Sequence, residues 1–354
     1  MALIRCENCG AAYPEAGMPH RCEKCGGMYD FDGPFPITKS DLIHHSSSLW
    51  QYRNSFGLPD DLQVVSLGEG KTPLLRRSID GHELAFKMES NLPTGSYKDR
   101  GTTVLVSVIK SREIPFAVED SSGNAGASFA TYSTWAGINS KVFVPESASG
   151  AKLKQIERSK AQLQTVPGER ADATKAVMQA VAEGAVYASH AMQPFLLPGI
   201  ATIAYELFSD LQTCPGTIIA PVGHGGLFLG IMRGFHALYQ QKITNKMPFF
   251  LGVQGTGYTP FLPQQSNAGE TTLADGVRIL KPSRYSQIMK MADSLPCEFA
   301  ACSNQELLAA LHELWQMGLY VEITSALVWA AYRNASKKLP EPIVFILTGS
   351  GLKY

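Results

Sequence analysis

An excess of charge of either sign is missing from this chain: 31 Lys and Arg stand against 31 Asp and Glu in 354 residues. Without a net positive field it has no general means of recruiting nucleic acid or an anionic membrane, so the expected partners are small molecules or protein subunits. Long apolar runs are missing too. No stretch reaches the ~18 residues that a membrane-spanning helix needs, and Met1-Ala2-Leu3-Ile4-Arg5 leads straight into a cysteine pair without the apolar core of a secretory signal. These absences predict a soluble, cytoplasmic protein. What is present is 45% apolar content, enough for the cores of two ordinary domains and a small appendage.

Cysteine is sparse, seven residues in all, and unevenly placed. Cys6, Cys9, Cys22 and Cys25 form two C-x2-C pairs separated by 12 residues, with Gly10 and Gly26-Gly27 allowing the backbone to turn around the sulfurs. In a reducing compartment the pattern reads as four thiolates around a tetrahedral zinc, in a ribbon-like segment. A redox dithiol is the alternative, but neither pair has the strand-helix context that chemistry uses. Four thiolates close the coordination shell, so the zinc is expected to be structural. Cys214, Cys297 and Cys302 are scattered and read as buried apolar residues.

Past a linker at Gly33-Pro34-Phe35-Pro36, short apolar runs alternate with helical segments. The runs are Leu84 to Met88, Pro115 to Val118, Lys141 to Val144, Thr217 to Ala220, Phe249 to Val253 and Pro342 to Leu347. This alternation predicts an α/β fold with mainly parallel sheet buried on both faces. Ser303-Asn304-Gln305-Glu306 has the form of a capping box, opening a helix whose Leu307, Leu308, Leu311, Leu314 and Trp315 are expected in the core and which closes at Gly318.

Four segments carry chemistry. Lys98, in Pro93-Thr94-Gly95-Ser96-Tyr97-Lys98-Asp99-Arg100-Gly101, stands just past a turn where a helix can begin. Such an amine can anchor an aldehyde cofactor and later act as a general base, although alone it reads as a solvated turn lysine. Ser121, Ser122, Gly123, Asn124 and Ala125 offer hydroxyls and amides for a substrate carboxylate, with the Asn124 amide able to donate to a phenolic oxygen. Gly223, His224, Gly225, Gly226 and Leu227 offer backbone donors to a phosphate where a loop opens into a helix. Thr348 would put a neutral hydroxyl against a pyridine nitrogen. Each segment alone is also plain turn chemistry. The last three loops follow expected strands at their carboxyl ends, where ligands of open α/β sheets gather, and together they meet the needs of pyridoxal 5'-phosphate (PLP).

Together with Gly68-Glu69-Gly70-Lys71-Thr72-Pro73-Leu74 and Leu347-Thr348-Gly349-Ser350-Gly351-Leu352-Lys353, these segments resemble threonine synthase and its paralogues among the fold-type II PLP enzymes. The resemblance implies a tryptophan synthase β-like fold of two open, twisted, mainly parallel α/β domains. It divides the chain into a zinc-ribbon-like segment at 1–33, a large PLP-binding domain at 34–106 and 197–354, and a small α/β domain at 107–196. It also implies a homodimer, with Lys98 as the Schiff-base lysine, Asn124 on the phenolic oxygen, Gly223 to Leu227 around the phosphate and Thr348 on the pyridine nitrogen. The implied reaction acts on a small amino acid with a β- or γ-leaving group. Two departures bear on the substrate. Where threonine synthases typically read Asn-Ser-x-Asn-Pro-x-Arg, this chain has His190-Ala191-Met192-Gln193-Pro194-Phe195-Leu196, without the serine and arginine of a phosphate clamp. Ser350 also stands where histidine is common, while Thr272 to Arg278 resembles a segment of serine and threonine dehydratases. The alternatives are therefore β-elimination or β-replacement, as in a dehydratase or cysteate synthase, and a zinc-ribbon binding module on an idle scaffold.

Overall fold

The computed structural model describes residues 4–43, 46–148, 150–263 and 271–353; Met1 to Leu3, over which the chain's opening was read, lie outside them. An amino-terminal hairpin, β1 (Ile4–Cys6) and β2 (Tyr29–Phe31), carries the paired cysteines. Next come the antiparallel pair β3 (Leu74–Ile79) and β4 (His82–Met88), then α1 (Lys98–Ser111). The following segment alternates β5 (Phe116–Glu119), α2 (Asn124–Ala136), β6 (Asn139–Pro145), α3 (Ala151–Glu157), β7 (Gln162–Val166), α4 (Arg170–Ala182) and β8 (Val186–Tyr187). The chain continues through α5 (Leu196–Leu211), β9 (Thr217–Pro221), α6 (Gly226–Gln240), β10 (Phe249–Gly255), α7 (Tyr285–Ala292), β11 (Cys297–Cys302), α8 (Asn304–Gln316), α9 (Ile323–Arg333) and β12 (Ile343–Leu347).

The strands form a six-stranded sheet, ordered β11-β10-β9-β12-β4-β3, and a four-stranded sheet, ordered β7-β6-β5-β8. All neighbours are parallel except β3 with β4. Central strands β9 (TIIAP) and β12 (IVFIL) are buried at every residue, which explains their continuous apolar sequences: helices cover both faces. The expected runs all lie on strands, but β3, β7, β8 and β11 carry no such signal. β7 reads QLQTV and is half polar because it closes a sheet edge, and β8 has only two residues.

Helix packing is closest where glycine replaces a side chain. On α6, a Cβ at Gly230 would sit 2.6 Å from Ile200 Cγ2 and one at Gly234 would sit 2.6 Å from Ala201 O, so the glycine stripe lets α5 and α6 nearly touch backbones. The capping box of α8 is present, with Ser303 and Glu306 bonded reciprocally. The helix ends at Gln316, ahead of Gly318 at φ +84°. Leu307, Leu311 and Leu314 are buried, but Leu308 and Trp315 are exposed, a correction to the expected apolar stripe. Their positions carry them round the helix beyond the face that meets α9. Among the described residues, no helix is long and apolar enough to cross a membrane.

Candidate active site

Lys98 is the first residue of α1, and the turn before it is held from two directions. Asp99, fully buried, accepts from Thr94 N at 2.7 Å, Thr94 Oγ1 at 2.6 Å and Ser128 Oγ at 2.6 Å. Burial pushes its carboxyl up to about 6, against these hydrogen bonds. The same turn is stitched to the loop after β12: Tyr97 N donates to Thr348 O at 3.0 Å and Ser350 N to Gly95 O at 2.9 Å. Folding of these two loops against one another is what brings Thr348 to Lys98.

Lys98, Ser121 to Ala125, Gly223 to Leu227 and Thr348 all line one cavity of about 390 Å³. The glycine loop fits a bound anion. Gly225 adopts φ +99°, no side chain caps the start of α6, and a Cβ at Gly226 would meet nothing nearer than Ile200 Cδ1 at 4.0 Å, so that it would project into open space. A Cβ at Gly223 would stand 2.5 Å from Gly276 O. Only a bare backbone lets the amides form a concave cradle here.

Glu322 also lines the cavity and was not legible as a site residue. It is 2% exposed, and its carboxylate accepts from Asn124 Nδ2 at 2.8 Å and Thr348 Oγ1 at 2.9 Å, with Lys152 Nζ at 3.7 Å. Lys353 Nζ donates to Asn124 Oδ1 at 3.1 Å, and burial holds this amine down to about 8. Asn124 is thereby fixed in orientation with a second N–H to spare. The available signal was positional: Glu322 sits one residue before the apolar helix α9, in reach of the loop after β12.

The wall formed by the departing segment is also rebuilt. His190 lines the cavity, its Nδ1 is bonded to Glu119 Oε1, and its ring packs edge-on to His224 at 5.6 Å. Burial pushes His224 down to about 3. Ala191 is buried and Leu196 lines the cavity where an arginine would be expected. Arg278 is a cation that lines the cavity, whereas two other basic residues, Lys71 and Lys281, do not line it. Arg170 and Lys152 line it as well, each beside an acid: Arg170 lies 3.9 Å from Asp120 and Lys152 lies 2.9 Å from Asp275.

The four ribbon thiols gather with all Sγ atoms within 4.8 Å, Cys6 to Cys25 at 3.4 Å and Cys9 to Cys22 at 3.6 Å. A tetrahedral metal with bonds of about 2.3 Å would space its sulfurs by about 3.8 Å, so the cluster is compatible with zinc. The two knuckles match: Gly10 N donates to Cys6 O at 2.9 Å and Gly26 N to Cys22 O at 2.7 Å. The ribbon is joined to the site through Gln193, whose amide accepts from Tyr13 OH at 3.3 Å and donates to Met18 O at 3.2 Å and Tyr187 O at 2.9 Å. Arg284, fully buried, donates to Met192 O and Gln193 O, and its backbone N–H to His224 O.

Residues 65–349 match the family described as "Pyridoxal-phosphate dependent enzyme". The chain is similar to the threonine synthase of Methanocaldococcus jannaschii, 30% identical across 99% of this chain and 93% of that protein. Among solved structures it is similar to a threonine deaminase from T.th., with TM-score 0.67 and 25% identity over 79% of this chain and 92% of that one. The O-acetylserine dependent cystathionine beta-synthase from Helicobacter pylori superposes with TM-score 0.68 at 19% identity, over 80% of this chain and 94% of that one. With the cradle, the lysine and the two parallel sheets in place, the chain belongs to the pyridoxal-phosphate dependent enzymes of fold type II.

Proposed function

We propose that this enzyme, of the threonine synthase-like group, eliminates or replaces a leaving group on the β or γ carbon of a small amino acid. The observation that supports it is the convergence of Lys98, a carboxylate-binding loop and an amide cradle on one cavity. When bound, PLP supplies an electron sink for charge developing at the α-carbon. Lys98 is the amine that would hold the cofactor's aldehyde and then take the α-proton. Amides of Gly223 to Leu227 would hold its phosphate at the start of α6. Asn124, oriented by Glu322 and Lys353, has an N–H for the phenolic oxygen, and Thr348 would face the pyridine nitrogen. Ser121 to Ala125 would bind the substrate carboxylate. In the ribbon, Cys6, Cys9, Cys22 and Cys25 would hold one structural zinc.

Within this class, His190, Ala191 and Leu196 favour β-elimination or β-replacement over a substrate carrying a γ-phosphate. A missing charge-assisted contact is worth on the order of 1.5–3 kcal/mol, roughly one to two decades in affinity. The test is steady-state kinetics with O-phosphohomoserine, O-phosphoserine, serine and threonine, alongside the cofactor's visible absorption. Poor turnover of O-phosphohomoserine beside a better β-substituted substrate is expected. Efficient threonine formation, at about 10⁴ per molar per second or more, would instead make the enzyme a threonine synthase in full, with another cation replacing the clamp.

A further inference from the structure

The carboxyl ends of adjacent parallel strands β5 and β8 place two unusual side chains together. Glu119 ends β5, is fully buried, and its Oε1 lies 2.5 Å from His190 Nδ1. Its other oxygen has no hydrogen-bond partner among the described residues. The His190 side chain, 12% exposed against 0% for Glu119, stands between that carboxyl and the cavity. Since Nδ1 is taken from behind, Nε2 is the ring nitrogen left for the cavity side.

The surroundings set the protonation of the pair. Burial, and then the neighbouring Asp120, push Glu119 well above the usual carboxylate range. Burial, and then the Lys98 charge, push His190 well below the usual imidazole range. Asp120 itself is engaged by Tyr187 OH at 2.8 Å, Thr174 Oγ1 at 2.7 Å and Arg170 at 3.9 Å, leaving Glu119 as the proton-bearing acid. A neutral carboxylic acid giving its hydrogen bond to Nδ1 fixes the tautomer with the proton on Nε2.

We infer that His190 and Glu119 form a proton-delivering pair for the substrate's side-chain leaving group, which makes hydroxy amino acids the substrate class of this site. The inference rests on the proposed elimination or replacement chemistry. As the carbon–oxygen bond breaks, its electron pair stays with oxygen, which takes the proton from His190 Nε2 while the Glu119 proton crosses to Nδ1. Water departs, the imidazole stays neutral and Glu119 becomes a carboxylate. The proton that Lys98 takes from the α-carbon leaves a positive charge that balances it, and exchange with solvent restores both groups. His190 is the catalytic residue of the pair, and Glu119 acts through it.

The test compares serine, threonine and homoserine with β-chloroalanine, whose chloride leaves without a proton, in the PLP-loaded full chain and its Glu119→Gln variant. Glutamine keeps a donor to Nδ1 but yields no proton. Loss of general-acid help should lower elimination of the hydroxy amino acids by about 10²–10⁴-fold, while β-chloroalanine elimination and α-hydrogen exchange in deuterium oxide stay within about threefold of wild type. An equal loss on both kinds of substrate, or no loss on either, overturns the pair. So does a wild-type enzyme that exchanges α-hydrogen but eliminates only β-chloroalanine. If it exchanges no α-hydrogen with any of them, the underlying reaction class fails instead, and the pair with it. Nitrogen NMR of the cofactor-free chain gives an independent reading: a neutral ring protonated on Nε2 near neutral pH is expected, with the proton redistributed between the ring nitrogens in Glu119→Ala. An imidazolium in wild type overturns the inference. If Glu119→Gln does not fold, the nitrogen NMR of the wild-type chain decides the inference alone: a neutral ring protonated on Nε2 is expected, and a ring protonated on Nδ1 overturns it.

Discussion

Replacing Arg100 with methionine should be among the most destabilising single changes available in this fold, by about 3–5 kcal/mol. The guanidinium is fully buried within the first turn of the helix that Lys98 opens, and it makes six hydrogen bonds: two to Glu89, two to Glu206 and one each to Thr202 and Thr72. The two carboxylates fare differently once it is gone. Glu206 keeps Lys87 Nζ at 2.7 Å and the Lys71 N–H at 2.8 Å, whereas Glu89 keeps just the Thr72 hydroxyl at 2.7 Å among the described residues. The loss therefore falls on an uncompensated buried charge at Glu89, and methionine roughly fills the space. Burial alone would raise the Glu206 pKa, but Arg100 and Lys87 more than reverse it and hold the group far below the usual range. A depressed folded-state pKa contributes stability above the unfolded carboxylate value, and that contribution is lost as pH falls toward the folded one. Methionine removes the Arg100 share of that contribution, so the part of the deficit that comes through Glu206 should be whole near neutral pH and shrink as pH falls below the ordinary glutamate value of 4.5. Equilibrium unfolding in urea followed by tryptophan fluorescence measures this, and Arg100→Met with Glu89→Gln should recover most of the loss. A deficit below about 1 kcal/mol, or one that grows as pH falls, would refute the argument.

Further outcomes are expected at the site and the ribbon. Purified protein should be yellow, and borohydride should trap the cofactor on Lys98 and nowhere else, so Lys98→Ala loses the covalent adduct; mass spectrometry of the trapped peptide decides it. Gly223→Ala should lower cofactor affinity by about one to two decades, the equivalent of roughly 1–3 kcal/mol of overpacking, because its Cβ would meet Gly276 O at 2.5 Å. Equilibrium dialysis with PLP reads this, and wild-type affinity would show that the loop yields. Metal analysis of protein prepared without chelator should find one zinc per chain, reduced by Cys22→Ser. A variant with lost metal, intact folding and no chemistry would contradict a purely structural role.

What the sequence made legible is the part written in local patterns. Lys98, the 121–125 and 223–227 loops and Thr348 could be found because glycine, a strand end and a helix start leave marks within a few residues. β9 and β12 could be found because strands buried on both faces are continuously apolar. Glu322 and Glu119 could not. Each becomes part of the site through partners far away in the chain, Asn124 and Thr348 for one and His190 for the other, and a single acidic residue beside an apolar run has no local signature. The exposed Leu308 and Trp315 show the converse, since side-chain type alone does not reveal how wide a face the neighbouring helix covers.

Gln193 gives the ribbon and the cofactor loop a shared fate. Its side chain bonds ribbon residues Tyr13 and Met18, its carbonyl accepts from Arg284, and Arg284 also bonds the carbonyl of His224 in the cradle. Any coupling carried by these hydrogen bonds would be reciprocal: whatever factor a metal in the ribbon added to the loop's affinity for an anion, an anion in the loop would add to the ribbon's hold on a metal. If this joint carries coupling, resistance of the thiol cluster to a chelator should change when PLP is added, at a place the cofactor would not touch.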